Sequence, residues 1–184
     1  MSTATDDKEL MTQLQDPQQC RQAFARVIEQ YSQPLYHQIR RMVPDHDDAS
    51  DLLQNTFMKA WQNLEYFRGD AKLSTWLYKI AVNESLTFLT RERKRLAMSI
   101  DDQDSALANQ IEADTYFDGD RAQMLLRKAI ATLPEKQRLV FNMKYFDDMK
   151  YEEISDVLGT SVGALKASYH LAVKKIEKYL TENH

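Results

Sequence analysis

The chain has 184 residues with only four glycines, four prolines and one cysteine, and a formal net charge of −4. So few turn-formers and so little strand-like alternation exclude an all-β domain, and the lone Cys20 excludes an internal disulfide and fits a reducing compartment. No apolar run approaches the roughly 18–20 residues that span a bilayer, and the acidic start at Met1–Glu9 has no signal-peptide segment. The expectation is an all-α cytoplasmic protein, not itself membrane-embedded, built as two small helical domains joined by an acidic flexible linker.

Charge divides the chain into three. Residues 1–95 carry 13 Lys+Arg and 13 Asp+Glu, residues 96–120 carry none and 7, and residues 121–184 carry 11 and 8. Phosphate neutralisation supplies most non-specific DNA affinity. A chain this acidic would bind DNA weakly alone, with affinity lent by a larger partner.

Residues 1–16 read as a polar N-terminal arm with a helical turn around Leu10, Met11 and Leu14. From Pro17, helical spacing of Ala23, Phe24, Val27, Ile28 and Tyr31 predicts a helix. Ser32-Gln33-Pro34 breaks it, and a second segment runs through Leu35, Ile39 and Met42 to Pro44. Asp45, Asp47 and Asp48 then place acids at the head of a helix from about Asp47 to Leu64, where the dipole favours them. Its core stripe is Leu53, Phe57, Ala60, Trp61 and Leu64. The other face shows Asp51, Gln54, Asn55, Met58 and Gln62, which is either a solvated face or an adaptable docking surface.

Tyr66–Lys72 is a loop with Gly69 and Asp70 as turn residues. Ser74 or Thr75 caps a helix to about Arg95, with Trp76, Leu77, Ile80, Ala81, Leu86 and Leu89 inward. Arg91, Arg93, Lys94 and Arg95 at its end either compensate the helix dipole or, with Tyr66, Phe67, Lys72, Trp76 and Tyr78 nearby, form a surface for single-stranded nucleic acid. Residues 96–120 are the acidic linker. Ala122–Thr132 predicts a helix, and Leu133-Pro134-Glu135 starts another that runs to about Tyr145.

The segment Lys150–Lys175 reads as a helix-turn-helix. Ile154, Val157 and Leu158 make a short apolar stripe, Gly159 stands where a helix ends in a left-handed residue, and Ser161 supplies the next N-cap. On the second helix Val162, Leu165, Tyr169, Ala172, Val173, Ile176 and Leu180 share one face. The opposite face carries Ala164, Ala167, Leu171, Lys174 and Lys175, flanked by Lys166 and His170. A plain helical hairpin and a recognition helix for a DNA major groove both fit this pattern.

His37, His46, His170 and His184 are scattered, and Cys20 has no ligand spacing around it. There is no Gly-rich phosphate loop, so no metal, cofactor or enzymatic activity is expected.

Asp51-Leu-Leu-Gln-Asn-Thr-Phe-Met-Lys-Ala-Trp61, Phe67-Arg-Gly-Asp70, Ser74-Thr-Trp-Leu-Tyr-Lys-Ile-Ala-Val-Asn83 and the helix-turn-helix occur in order. Together they make the chain resemble the extracytoplasmic-function (ECF) sigma factors of bacterial RNA polymerase. The resemblance implies a transcription initiation factor with sigma region 2 at 17–95 and region 4 at 121–184, joined through residues 96–120. Region 2 would bind core polymerase through Asp51, Gln54 and Met58, with Asn55 where the family commonly has an acid. It would melt the −10 element with Asn83 as the base-pocket asparagine beside the Tyr66–Lys72 loop. Region 4 would read −35 duplex along Ser161–Lys175, where Ser168, Leu171 and Val173 replace arginines frequent in the family. The implied partners are bacterial core RNA polymerase, promoter DNA and a membrane-associated anti-sigma factor. A stand-alone helix-turn-helix regulator with a sensing N-terminal domain is the rival reading.

Overall fold

The computed structural model describes residues 4–43, 45–97 and 121–183. Among these the regular structure is helical throughout. The chain divides into two compact units, Met1–Phe88 and Leu89–His184, and each is described by itself. The acidic linker expected at 96–120 lies outside the described residues apart from its first two positions, which continue a helix.

In the first unit, α1 (Ala4–Gln15) is a full helix where an arm with one turn is expected. Leu10 and Leu14, one turn apart, are buried where α1 packs on α2. Local polarity hid this, because two leucines suffice once a neighbouring helix covers them. An Asp16 turn joins the helices: its carboxylate accepts from Gln18 N at 2.9 Å and from Gln19 Nε2 at 2.6 Å.

Helix α2 (Cys20–Met42) runs unbroken through Pro34, which corrects the break expected at Ser32–Pro34. An interior proline costs about 3 kcal/mol. Here its ring is exposed, and Val27, Tyr31, Leu35, Gln38 and Ile39 are all buried on the other side. Continuous packing of that face against α3 (His46–Gln62) outweighs the lost hydrogen bond.

Asp45 caps α3, its side chain accepting from Asp47 N at 2.8 Å and Asp48 N at 3.0 Å. The buried stripe of α3 is Ala49, Leu52, Thr56, Phe57 and Ala60, so the expected stripe has the wrong centre. Leu53 and Leu64 are half-buried and Trp61 is 41% exposed. Thr56 takes an inward place because its hydroxyl donates to Leu52 O at 2.7 Å, which satisfies it locally. A 3₁₀ turn at Leu64–Tyr66 and a loop lead into α4 (Leu73–Ala97). Leu73, Thr75, Leu77, Ala81, Val82 and Ser85 are its buried positions; Trp76, Ile80, Leu86 and Leu89, expected inward, are half-buried.

In the second unit α5 (Arg121–Ala131) leads to Pro134, the N-cap of α6 (Glu135–Tyr145). Lys150 begins α7 (Tyr151–Leu158), its N–H donating to Glu153 Oε2 at 2.9 Å. Gly159 ends α7 at φ 63°, the left-handed geometry that favours glycine. Its N–H donates to Ser155 O at 2.8 Å. Ser161 Oγ then accepts from Ala164 N at 3.4 Å and opens α8 (Val162–Glu182). Helix α8 packs against α5, α6 and α7. Ala129, Ile130, Leu133, Phe141, Ala172 and Ile176 form the core, with Tyr169, Val173 and Leu180 packed on it.

Candidate nucleic-acid interface

The first unit holds an open pocket of about 390 Å³ between the end of α3, the 3₁₀ turn and α4. Trp76, Ile80, Asn83 and Glu84 supply one wall and Lys59 and Asn63 another, with Tyr66 at the rim. The α4 residues recur at i, i+4, i+7 and i+8, and Lys59 and Asn63 at i, i+4, so each wall is one helix face. Tyr66 is 72% exposed. A hydrogen bond to Glu65, and then that carboxylate's charge, push its phenol above the ordinary value. Phe67 stacks on Trp76, ring centroids 4.5 Å apart and planes 20° from parallel.

The structure thus brings Tyr66, Trp76 and Asn83 to one pocket, and Phe67 joins it only by stacking on Trp76. Sequence reasoning missed Lys59, Asn63, Ile80 and Glu84 as pocket residues. Lys59 Nζ and Glu84 Oε1 form an ion pair at 2.5 Å across the two helices. The face of α4 shared with Trp76 and Asn83 was the signal that could have found Ile80 and Glu84; nothing local marks Lys59 or Asn63. Lys72 is exposed and does not line the pocket.

The basic end of α4 is committed in part to its own neighbours. Arg93 Nη2 donates to Glu135 Oε2 at 2.6 Å and Arg95 pairs with Glu92 at 3.2 Å. Arg91 and Lys94 are exposed. Burial holds the Arg138 guanidinium below its usual value, against the pull of Glu135.

Asp51, Gln54, Asn55 and Met58 are all exposed on α3, Met58 to 59%. Of these, Gln54 and Met58 line a shallow groove of about 570 Å³ with Phe57 and Trp61 of α3 and Arg21 and Phe24 from α2, and Asp51 and Asn55 do not line it. Phe24 meets Trp61 edge-on at 5.0 Å. Arg21, Phe24 and Trp61 were not foreseen there, since Trp61 was placed in the core.

On α8 the two faces separate as the spacing predicts. Leu165, Ala172 and Ile176 are buried, whereas Lys166, Ala167, His170, Lys174 and Lys175 are exposed and Leu171 is 49% exposed. Ser168 is half-buried, and Ser161 is engaged as the helix cap. Lys166 Nζ lies 5.7 Å from the centroid of Tyr151, whose ring also receives Lys144 Nζ at 5.5 Å. Desolvation first, and Tyr169 second, raise the Tyr151 phenol.

Two parts of the chain match known families: residues 27–95 match Sigma-70 region 2 and residues 123–176 match Sigma-70, region 4. The chain is 28% identical over 168 residues to the ECF RNA polymerase sigma factor SigW of Bacillus subtilis (strain 168), covering 87% of this chain and 90% of SigW. It is also 28% identical over 187 residues to the ECF RNA polymerase sigma-E factor of Escherichia coli (strain K12), covering 96% of this chain and 95% of that protein. Among solved structures, CnrH in complex with the cytosolic domain of CnrY superposes with a TM-score of 0.69 at 21% identity, covering 97% of this chain and 99% of CnrH. The sigma factor RpoE of Bartonella quintana, in complex with the anti-sigma factor NepR, gives 0.65 at 22% identity, covering 88% and 98%. These two speak to the fold. The chain belongs to the extracytoplasmic-function sigma factors of bacterial RNA polymerase. It is a transcription initiation factor that directs the polymerase to specific promoters.

Proposed function

We propose that residues 17–95 act as region 2, docking on core polymerase and capturing a base of the −10 element, and that residues 121–184 act as region 4 and read the −35 duplex. The observation that carries this reading is the pocket of Tyr66, Trp76 and Asn83, where an exposed ring, a stacked ring pair and an amide converge. Extruding a base costs a few kcal/mol. Stacking on an aromatic offsets about 1–3 kcal/mol of that, and an amide pairs with the exposed base edge. The protein acts in the cytoplasm by binding, with no reaction of its own.

The Asp51, Gln54, Asn55 and Met58 face is the core-polymerase surface. Its support is the exposure of a mixed polar and methionine face on a helix whose opposite side is packed. Lys72, Arg91, Arg93, Lys94 and Arg95 add phosphate contacts to the −10 strand, the two paired arginines exchanging a carboxylate for a phosphate. On α8, Leu171 and Ala167 meet thymine methyls and Lys174 and Lys175 hold phosphates. Ser161, Lys166, Ser168 and His170 flank that contact. Solved structures with the same fold include sigma factors held by anti-sigma partners, which supports an anti-sigma factor, membrane-associated, as this chain's regulator. Among the described residues no helix is long and apolar enough to cross a membrane.

Permanganate footprinting of the transcription bubble with holoenzyme tests the central claim. Asn83→Ala should reduce −10 reactivity more than closed-complex binding. Equal reactivity of mutant and wild-type bubbles would reject the capture pocket. Asp51→Arg should weaken holoenzyme assembly in a titration with core enzyme, with folding changed by no more than about 0.5 kcal/mol.

A further inference from the structure

We infer that α1 positions the capture pocket, acting through Met11 on the backbone of Gly69. The inference rests on the pocket reading given above and concerns a helix that lies outside the matched Sigma-70 region 2, which begins at residue 27.

Helix α1 is held in one register. Leu10 and Leu14 are buried, Gln13 Oε1 accepts from Arg26 Nη1 of α2 at 3.0 Å, and the Asp16 turn ties its end to α2. Between the two leucines, Met11 is half-buried and reaches the Tyr66–Lys72 loop. A Cβ placed on Gly69 would stand 2.7 Å from Met11 Cε, closer than side chains approach, so the methionine methyl occupies the space that glycine leaves open. Gly69 also sits at φ 77°, a conformation that L side chains rarely adopt.

Two residues before Gly69, Phe67 stacks on Trp76, and Trp76 lines the pocket with Asn83. The order of contact is therefore Met11, the Gly69 backbone, Phe67, Trp76 and the pocket wall. A displaced loop would move the stacked pair and Tyr66, which share its backbone. Misplacement by about 1 Å at a site that depends on position is felt strongly in rate, whereas the exposed loop adds little to folding. Met11 is thus a positioning residue, and its loss should appear in promoter opening before it appears in assembly or stability.

The test uses holoenzyme reconstituted with core polymerase and a promoter carrying 2-aminopurine in the −10 strand. Opening rate, core affinity and thermal unfolding are measured for Met11→Ala, Met11→Leu, Gly69→Ala, Met11→Ala/Gly69→Ala and Asn83→Ala. Met11→Ala should slow opening by at least about threefold with core affinity unchanged, and Met11→Leu should recover most of the rate. Gly69→Ala carries backbone strain and displaces the Met11 methyl, the far end of a flexible side chain, from its seat on Gly69. On the Met11→Ala background only the strain remains, so its penalty on opening should shrink by a factor of about three, within the coupling range of contacting residues. Equal Gly69→Ala penalties on both backgrounds, or wild-type opening by Met11→Ala while Asn83→Ala is slow, would overturn the inference. Wild-type opening by Asn83→Ala would instead overturn the pocket reading beneath it.

Discussion

The proposed capture pocket of the first unit and the proposed recognition face of the second would present DNA with two kinds of surface. The pocket is assembled from α3, the 3₁₀ turn and α4, and each wall is useful only if the others are in place. The recognition face is laid along one helix, and its residues stand side by side on the outside of α8. A surface made by one helix is fixed once that helix is packed, and its contacts with DNA then contribute nearly independently. A pocket made by three segments is cooperative, because moving one wall removes what the others offer. That difference suits the roles proposed above, with one unit pulling a base from the stack and the other reading an intact duplex.

The largest expected effect breaks the comparison from one side only. Phe141 is 4% exposed and stacks on Tyr145 at 5.1 Å and on Tyr169 of α8 at 5.8 Å. Phe141→Ala should cost about 3–5 kcal/mol, a large share of the total for a small domain. Hydrogen exchange should then show α8 losing protection while α2 and α3 keep theirs. Matched loss in both units would mean that the two do not fold separately.

Next in size is Tyr66→Ala, which removes the exposed ring at the pocket rim. It should slow promoter opening by the worth of one stacked base, about 1–3 kcal/mol, with core affinity and thermal midpoint unchanged. Stopped-flow fluorescence of a labelled −10 element reads the rate. An unchanged rate would reduce the pocket to Asn83 and Trp76.

The same contrast decides what was legible in the sequence. The faces of α8 could be read because Gly159 and Ser161 fix where the helix begins, and 3.6 residues per turn then assigns each side chain. The exposed face of α3 was also readable, since Asp51, Gln54, Asn55 and Met58 share one polar side. Its buried side was not, because Trp61 and Leu53 are more apolar than Thr56, and only the Thr56 bond to Leu52 reveals why the threonine goes inward. Lys59 and Glu84 meet across 25 positions of sequence, a separation that no local period can bridge. Helix α1 and the unbroken α2 escaped for a similar reason: burial of Leu10 and Leu14 and the packing around Pro34 belong to tertiary structure.

A smaller effect sharpens the reading of α8. Leu171 is 49% exposed at the middle of its outer face. With no arginine there to fork onto guanine, the −35 element should have A/T character, partly read through DNA shape. Leu171→Ala should relax preference at one thymine by about the burial of one CH₂, 0.8 kcal/mol. Selection of −35 variants by holoenzyme measures this, and a G-rich consensus indifferent to the substitution would reject it.

Lys174 is expected to give the smallest effect, and its character matters more than its size. A lysine that holds a phosphate carries no sequence information, so Lys174→Ala should weaken binding to every −35 variant by the same factor. Each neutralised phosphate contributes about 0.9 to the slope of log affinity against log salt. Losing one should therefore flatten that slope by about one charge. Between 50 and 200 mM salt this is worth roughly 3.5-fold. Lys178, one turn further along α8, supplies the control, because its ammonium already lies 3.7 Å from the Glu182 carboxylate. Lys178→Ala removes a balanced charge and should leave the slope nearly as it was. A Lys174→Ala variant that discriminates between −35 sequences, or that keeps the wild-type slope, would place Lys174 against a base edge or away from the DNA. The independence assigned to the residues of α8 would then fail, and the second unit would prove as cooperative as the first.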